Sequence, residues 1–410
     1  MTQMLKYFPI NDVRNQFPAL NRKFHDREVA YLDGPGGSQV VKSSIEAVRN
    51  YMESGGANLH GSFPSSRETE EMIEETKKIV GDFLDVKAKE VAFGANMTTL
   101  TLAISRALGK QWGVGDEIVV SEIDHRANVD PWLQMAEDLG MTVRWLPVDQ
   151  QKLTLRLNEL DTVINSHTKL VAVGLASNAV GTINDVATIA KKAKEVGAIV
   201  AVDAVHAVPH IPVQRDQIGA DILLCSAYKF FGPHVGIAAI REQIFERLEP
   251  YKLSPAPDYI PDKLETGTQN HEGIAGIKPA IEFFENLGTG VTRKERILSG
   301  IKHIEDYENK LAIKMGDGLR NLAKVTLYEP DSVARKTPTF AFTVEGYTNQ
   351  EVCERMSSEH GIFVADGDFY ATTLASKLGV NKTGGWIRAG LAPYNTEEEV
   401  ERFLYALRQL

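Results

Sequence analysis

Five short apolar runs within residues 90–227 constrain the fold of this chain more than any other feature. The runs are EVAFGA (90–95), DEIVVSE (116–122), TKLVAVGLAS (168–177), AIVAVDA (198–204) and ADILLCSA (220–227). Continuous apolar runs are typical of strands that are covered on both faces, and their alternation with helical patterns predicts a mostly parallel α/β sheet. Ligands of such sheets bind at the carboxyl ends of the strands, so the residues after each run are candidates for a site.

The pattern changes near residue 290. A long charged helix is predicted over 292–324, followed by strands over 338–346, 361–367 and 386–394 and by a capped C-terminal helix over 396–410. We therefore predict three parts, which are an N-terminal segment (1–24) that packs with the small domain, a large α/β domain (25–289) and a smaller α+β domain (290–410).

Composition and charge exclude several classes of protein. The 410 residues carry 45 Lys and Arg against 55 Asp and Glu, a net charge of −10, and no basic cluster with interleaved aromatic residues occurs. We therefore expect neither nucleic-acid nor membrane binding. The two cysteines, Cys225 and Cys353, form no CxxC or Cys/His spacing, so no metal site is predicted. The N-terminus lacks the apolar segment of a signal peptide, and we predict a cytoplasmic protein.

Four residues that follow the first run, Asn96, Met97, Thr98 and Thr99, would open a helix. The N-terminus of a helix presents free backbone N–H groups and the positive end of the helix dipole, which suits a phosphate group. The alternative is ordinary capping by Asn or Thr, without a ligand.

Polar side chains also follow the next three runs. His125 comes after the second run and Asn178 after the third, although such residues often serve only the local structure. Asp203 interrupts the fourth run, and a buried carboxylate needs a partner or its pKa rises. His206 and His210 stand four positions apart, which suggests a metal pair, but no third ligand is evident in the sequence and we predict no metal.

Lys229 lies at the end of the fifth run, within SAYKFFGP (226–233). A single lysine at a strand end is more often a surface residue whose alkyl chain alone is buried. Here a helix end, a flat side chain, an acid and a lysine follow successive strands, and pyridoxal phosphate requires these four groups. The lysine holds its aldehyde as a Schiff base, the acid keeps its pyridine nitrogen protonated, the flat side chain stacks on its ring and the helix end binds its phosphate. We therefore predict pyridoxal 5′-phosphate as the cofactor.

Longer segments resemble a known family. AVDAVHAVPHIPV (201–213) and ADILLCSAYKFFGPHVGI (220–237) resemble the class V aminotransferase family of fold-type I pyridoxal phosphate enzymes, and within it the cysteine desulfurases and selenocysteine lyases most of all. The resemblance extends over nearly the whole chain, with further similar segments over 31–40, 55–63, 265–270 and 386–400. It implies a large domain with a mostly parallel mixed sheet flanked by helices and a smaller C-terminal α+β domain.

The resemblance also implies a set of cofactor-binding residues. They are Asn96, Met97, His125, Asn178, Asp203, His206, Ser226, Tyr228, Lys229 and Thr268. Lys229 would carry the cofactor, Asp203 would pair with its pyridine nitrogen and His125 would stack on its ring, so these three would be catalytic. Thr268 would reach the site of a neighbouring subunit, which implies a homodimer.

Other positions are implied in the same way. His206 stands where relatives often have a Gln that binds the phenolic oxygen of the cofactor, and Asn178 would lie near that oxygen. Ser226 and Tyr228 would bind the phosphate.

The substrate end of the site rests on the resemblance too. Arg388 would bind the carboxylate of a small amino-acid substrate in a bidentate pair. Asn58, His60 and Tyr370 would complete the substrate-binding residues.

One position departs from the family's pattern. Desulfurases carry a cysteine on a mobile loop that accepts sulfur as a persulfide, and its place in this chain is Tyr370. Cys225 lies inside a predicted strand and Cys353 on a predicted helix, so neither lies in the loop. We therefore do not expect desulfuration through a persulfide.

Three activities remain open on this scaffold. We favour lyase chemistry, in which removal of the Cα proton is followed by loss of a β substituent. Transamination and epimerisation are the alternatives, and epimerisation needs a second acid or base, which Tyr370 or a histidine would supply. A non-catalytic descendant of the fold is a further alternative, although retention of Lys229, Asp203 and Arg388 argues against it. A nicotinamide dehydrogenase is excluded because GVGDEI (113–118) lacks the last glycine of the motif and precedes a strand.

Overall fold

The computed structural model describes residues 7–410, and in that part the chain has thirteen α-helices and seventeen strands. The helices are α1 (Ile10–Arg14), α2 (Lys42–Glu53), α3 (Pro64–Leu84), α4 (Met97–Gly109), α5 (Asp130–Leu139), α6 (Leu160–Val163), α7 (Val186–Glu195), α8 (Glu242–Phe245), α9 (His271–Leu287), α10 (Arg293–Arg320), α11 (Asn349–His360), α12 (Thr372–Leu378) and α13 (Glu397–Arg408). The strands are β1 (Lys23–Phe24), β2 (Arg27–Glu28), β3 (Ala30–Tyr31), β4 (Val91–Gly94), β5 (Glu117–Ser121), β6 (Thr142–Leu146), β7 (Val148–Asp149), β8 (Thr154–Leu155), β9 (Thr168–Gly174), β10 (Ile199–Asp203), β11 (Ile222–Ser226), β12 (Gly236–Ile240), β13 (Val325–Tyr328), β14 (Thr339–Val344), β15 (Ile362–Phe363), β16 (Ala365–Gly367) and β17 (Trp386–Gly390). None of these helices has both the length and the apolar character that crossing a bilayer requires.

Seven strands form the main sheet, in the order β4-β12-β11-β10-β9-β5-β6. The strands from β11 to β6 run parallel to one another, whereas β12 runs antiparallel to both β11 and β4. The five apolar runs correspond to β4, β5, β9, β10 and β11, so the predicted mostly parallel α/β sheet is confirmed. The sequence did not indicate β12, because its five residues directly follow an irregular Gly-Pro segment.

The strands of the main sheet are covered on both faces. On β11, Leu223 and Cys225 belong to one hydrophobic cluster and Ile222 and Leu224 to another, and all four side chains are fully buried. Helices α3, α7 and α9 contribute to the first cluster, and α4 and α5 to the second. This two-sided burial is the physical reason why the runs are continuously apolar.

A second sheet, of order β13-β14-β17-β16, lies in the C-terminal part of the chain. Helices α10, α11 and α13 bury their apolar faces in a third hydrophobic cluster with it. The helix predicted over 292–324 is α10, which Thr292 caps and which ends at Arg320. The strand predicted over 361–367 is two strands, because β15 pairs with β3 and the chain then changes partner, so that β16 pairs with β17.

The N-terminal segment joins the two sheet-containing regions. Phe17 packs edge-to-face against Phe231, Phe283 and Tyr394, and Arg14 forms an ion pair with Glu399 at 2.9 Å. Residues 1–6 of the predicted segment over 1–24 lie outside the described part of the chain. The predicted domain boundaries at 24 and 289 stay predictions.

Candidate active site

A cavity of about 690 Å³ lies where several strands of the main sheet reach their carboxyl ends. Eleven of the predicted site residues line it, and they are Asn96, Met97, His125, Asn178, Asp203, His206, Ser226, Tyr228, Lys229, Tyr370 and Arg388. Side chains that are far apart in the sequence meet here because successive parallel strands end at the same edge of the sheet. The volume is in the range of small-molecule sites in proteins.

Lys229 follows β11 directly, in a single 3₁₀ turn over Ala227–Lys229. Its Nζ donates hydrogen bonds to the carbonyl oxygens of Pro35 and Gly36, the second at 2.9 Å. Burial and then the positive charge of Arg388 lower the pKa of Lys229 to about 7. The neutral amine is therefore accessible near neutral pH, and a neutral amine can act as a nucleophile or as a base.

Asp203 is the last residue of β10, the strand beside β11. Its Oδ1 accepts the N–H of Val205 at 2.8 Å, and the residue lines the cavity. Burial raises the pKa of Asp203 to about 6, while the Val205 N–H and the charge of Lys229 oppose that rise. A carboxyl group in this position can pair with a cationic ring N–H, which would stabilise its ionised form.

The flat imidazole ring of His125 forms another part of the cavity wall. Its Nδ1 accepts the N–H of Ala127 at 3.0 Å, which anchors the imidazole. Burial, followed by the charges of Lys229 and Arg388, lowers the pKa of His125 to about 4, so the ring is neutral near neutral pH. The ring of Tyr370 lies beside it, with 5.3 Å between the centroids and 34° between the planes.

The N-terminus of α4 also lines the cavity. The Asn96 side chain caps this helix by accepting the N–H of Thr99 at 2.9 Å, which is the capping interaction considered from the sequence. The N–H of Met97 donates to Ser226 Oγ at 3.0 Å. A Cβ at Gly236 would lie 2.3 Å from the carbonyl carbon of Asn96, so only glycine lets the helix end approach β12 this closely. The hydroxyl group of Ser226 and the N-terminus of α4 together suit a phosphate group.

The side chain of His206 makes hydrogen bonds that the sequence did not indicate. Its Nε2 is 3.0 Å from Thr337 Oγ1 and 2.9 Å from Thr339 Oγ1, both in the C-terminal part of the chain. Burial lowers the pKa of His206 well below its usual value. His210 instead pairs with Glu308 at 2.8 Å, and no group of three or more His, Cys, Asp or Glu in residues 7–410 is arranged to hold a metal ion.

Arg388, on β17, is 3% exposed. Its Nη1 donates to the main-chain oxygen of Asn178 at 3.0 Å and its Nη2 to Asp33 Oδ1 at 3.1 Å. Its Nε is buried and has no hydrogen-bond partner within residues 7–410. The ring of Phe369 covers one face of the guanidinium group, at 3.9 Å from Cζ to the ring centroid.

The segment around Tyr370 has an unusual backbone. Phe369 and Tyr370 have φ angles of +54° and +58°, a left-handed conformation that non-glycine residues rarely adopt. Asn178 Nδ2 donates to the Phe369 carbonyl at 2.8 Å, and the Arg126 N–H donates to the Tyr370 carbonyl at 2.8 Å. Asp368 accepts the N–H of Tyr370 at 2.9 Å. These contacts fix the segment against the cavity.

Neither cysteine lines the cavity. Cys225 is fully buried within β11, and burial raises the pKa of its thiol. Cys353 is partly buried on α11, where burial also raises the pKa of its thiol.

Three predicted residues lie away from the cavity of this chain. Asn58 and His60 are exposed in the loop between α2 and α3, where His60 pairs with Glu70 at 3.4 Å. Thr268 is exposed just before α9. Their roles in a site stay predictions.

Several residues that line the cavity were not predicted from the sequence. Asp124 precedes His125, is 3% exposed and accepts the Gly174 N–H at 2.7 Å and Asn128 Nδ2 at 2.9 Å. Burial raises the pKa of Asp124 to about 7. Its position after a strand was a signal that could have identified it, whereas Phe369 carried none.

The chain was compared with known proteins. Residues 30–403 match the family model described as aminotransferase class-V. An aminotransferase-like protein of Gibberella zeae is 30% identical over 412 residues, which cover 98% of each chain. A cysteine desulfurase of Enterobacter sp. (strain 638) is 30% identical over 419 residues, with 98% of each chain covered.

Solved structures are similar over the whole chain. The apo structure of a cysteine desulfurase from Thermococcus onnurineus NA1 has a TM-score of 0.88 at 31% identity and covers 100% of this chain and 99% of its own. The cysteine desulfurase CsdA of Escherichia coli has a TM-score of 0.84 at 25% identity, with 98% of each chain covered. The likeness confirms the predicted fold-type I architecture, a large mostly parallel mixed sheet flanked by helices with a smaller α+β part.

Proposed function

This chain belongs to the aminotransferase class-V family of pyridoxal-phosphate-dependent enzymes, and we propose that it acts as a lyase at Cα of a small amino acid. In the proposed reaction a proton leaves Cα and a substituent leaves Cβ, and no protein thiol accepts sulfur. The observation that carries this proposal is a complete set of cofactor-type groups around a cavity that contains no cysteine.

The lining residues fit the cofactor. Lys229 would bind the cofactor covalently, Asp203 would pair with its pyridine nitrogen and the ring of His125 would stack on it. Ser226 and the N-terminus of α4 would bind its phosphate. The buried Oδ1 of Asn178, which has no hydrogen-bond partner within the described chain, is a further polar group that a ligand would satisfy. When bound, the cofactor supplies an electron sink for negative charge that develops at Cα.

Two residues of the chain would then handle the substrate. Lys229, whose pKa lies at about 7, can take and return a proton near neutral pH, which is the range in which a general base works best. Arg388 would hold the substrate carboxylate, because its Nε and the remaining hydrogens of its terminal nitrogens are not used by Asn178 and Asp33.

The thiols support elimination over desulfuration. Sulfur transfer to the protein needs a reactive thiolate near the substrate, and burial raises the pKa of both Cys225 and Cys353 outside the cavity. Tyr370 occupies the cavity wall where the relatives' loop cysteine is expected from the resemblance. A β substituent would therefore leave into solution.

We also propose a homodimer and a cytoplasmic location. Thr268 is exposed and lies outside the cavity of its own chain, and the segment that carries it begins at Glu265, which pairs with the mostly buried Lys77 at 3.1 Å. An exposed segment with a fixed base is suited to contact a neighbouring subunit. Asn58 and His60, which are exposed in the loop between α2 and α3, stay predicted substrate-binding residues.

The test combines spectroscopy with product identification. The protein loaded with cofactor is mixed with a panel of small amino acids, and its visible absorbance is recorded while sulfide, pyruvate, other keto acids and the opposite enantiomer are measured. We expect one amino acid with a leaving group at Cβ to shift the band and to release that group, and water then hydrolyses the remaining enamine to ammonia and a keto acid. The double variant Cys225→Ala, Cys353→Ala is the control and should turn over at the rate of the unchanged protein.

Each other product identifies a different activity. An amino group transferred to a keto-acid acceptor, without loss of the β substituent, would show an aminotransferase, and the opposite enantiomer alone would show an epimerase. Sulfur bound to the protein, lost in the double cysteine variant, would overturn the thiol-free mechanism.

A further inference from the structure

The guanidinium group of Arg388 lines the cavity and contacts Asn178, Asp33 and Phe369, and part of its hydrogen-bonding capacity is unused. Asn178 and Asp33 accept one hydrogen bond each from its terminal nitrogens, and Phe369 covers one of its faces. A guanidinium group has five N–H donors, so three remain, among them the buried Nε–H that has no partner within residues 7–410. A 97% buried cation with an unpaired donor is costly unless a ligand completes its hydrogen bonds.

Phe369 is held in place by its backbone as well as by packing. Its left-handed conformation is unfavourable for a phenylalanine, and the hydrogen bond from Asn178 Nδ2 to its carbonyl oxygen opposes relaxation. The same asparagine accepts from Arg388 through its main-chain oxygen. Arg388, Asn178 and Phe369 thus form a closed set of contacts, in which Asn178 holds the main chain of Phe369 and the aromatic ring packs on the guanidinium group.

We propose that Phe369 determines specificity by making the site select ligands that carry a carboxylate on Cα. This inference rests on the proposed role of Arg388 and deepens it. The ring attracts the cation through its π face and removes water from that face. Asp33 and Asn178 set the in-plane orientation of the guanidinium group. A carboxylate that binds the unused donors would therefore meet a pre-oriented and partly dehydrated cation.

Recognition of the carboxylate can be measured separately from the other contacts of a ligand. An amino acid and the amine that lacks its carboxylate would contact the cofactor region in the same way, and only the amino acid would use Arg388. The dissociation constant of the amine divided by that of the amino acid therefore measures the strength of the carboxylate contact. Loss of the aromatic ring should lower this ratio and leave the affinity for the amine nearly unchanged.

The experiment uses the protein loaded with cofactor and two probes, L-alanine and ethylamine. The absorbance of the bound cofactor is titrated with each probe, which requires no product to form. For Phe369→Leu we expect the ratio to fall by about 3- to 30-fold, the range of a desolvated cation–π contact. Phe369→Tyr retains an aromatic face and should keep the ratio close to that of the unchanged protein.

Phe363→Leu is the matched control. Phe363 is also a partly buried aromatic residue that lies near an arginine, Arg22 at 5.9 Å, but it does not line the cavity. Its ratio should not change. A ratio that is equal in Phe369→Leu and the unchanged protein, or that falls as far in Phe363→Leu, overturns the proposal. Phe369→Met, measured in the same way, replaces the leucine variant if that variant does not fold.

Failure of the proposed function would look different. A chain that turns out to be a transaminase would still show the ratio and its loss, since the titration depends on binding alone. If Arg388→Gln kept the ratio of the unchanged protein, the carboxylate would bind elsewhere, and both the role of Arg388 and the inference about Phe369 would be wrong.

Discussion

Each of the two sheet regions holds a partly buried lysine with a lowered pKa, and the two lysines differ in their neighbours. Lys229 follows a strand of the main sheet, and Lys336 lies just before β14 of the smaller sheet. Burial is the main cause that lowers the pKa of both, to about 7 for Lys229 and to about 8 for Lys336. Lys229 donates to two carbonyl oxygens at the edge of a cavity. The Nζ of Lys336 lies 4.1 Å from the ring centroid of Phe340 and makes no hydrogen bond within residues 7–410.

A partly buried lysine with a lowered pKa is therefore not in itself a functional lysine. Lys336 satisfies both criteria, and its nearest carboxylate is Glu329 at 3.7 Å. Lys229 also has a cavity in front of it, with Asp203 and His125 on the walls. A structural role, packing on an aromatic ring, accounts for Lys336, whereas Lys229 is placed where a ligand can reach it.

The largest effect is expected from removing each amine in turn. Lys229→Ala should lose the covalently held cofactor and its visible absorbance band after dialysis, and turnover should fall by more than about 10³-fold, as when a group of a covalent mechanism is removed. Lys336→Ala should keep both, because its amine lies outside the cavity that Lys229 lines. The absorbance spectra of the two variants after incubation with excess pyridoxal phosphate give the comparison.

Thermal unfolding midpoints of both variants serve as the control for folding. A dialysed Lys229→Ala protein that retained the band, or a folded Lys336→Ala protein that lost it, would contradict the distinction between the two lysines.

The sequence predicted the two ends of the cavity unequally. Lys229, Asp203 and His125 follow apolar runs directly, and parallel strands end at one edge of a sheet, so their meeting could be inferred from the pattern. The position of Phe369 could not be inferred, because it depends on a left-handed backbone at a residue that is neither glycine nor asparagine. The pairing of Asp33 with Arg388 joins residues 355 positions apart, and nothing in the local sequence of either indicates the other.

The same limit applied to the fold. β12 is antiparallel between two predicted strands, and its short apolar stretch had no helix before it to mark a crossover. Lys336 also carried no signal, since its burial arises from the ring of Phe340 and the packing of the smaller sheet.

The rate of cofactor loading should depend on pH through the Lys229 amine. Only the neutral form of the Lys229 amine attacks an aldehyde, and the neutral fraction increases with pH up to the pKa, which burial lowers to about 7. The rate of loading should therefore rise about tenfold per unit between pH 5 and 6.5 and level off above about pH 8. An exposed lysine, with its pKa of about 10.4, would still show a rising rate at pH 9. The rate is measured from the growth of the visible band in cofactor-free protein.

Lys336→Ala is the control and should give the same profile, because that amine lies outside the cavity. A rate that keeps increasing through pH 9 would mean that the Lys229 amine is not held in the environment that the structure shows.

The smallest effect is expected from the charge of Arg388 beside Lys229. Arg388 is the second cause, after burial, that lowers the pKa of Lys229, and its guanidinium group also neutralises Asp33, whose charge raises that pKa. Arg388→Gln removes the positive charge and frees the negative one, and both changes favour the protonated amine. The midpoint of the loading profile should move upward by roughly 0.5–1 pH unit. Arg388→Lys keeps a positive charge and should move the midpoint less. An unchanged midpoint in Arg388→Gln would mean that burial alone lowers the pKa of Lys229, as it mainly does for Lys336. Lys229 would then differ from Lys336 only because a ligand can reach its amine, and not because of a neighbouring charge.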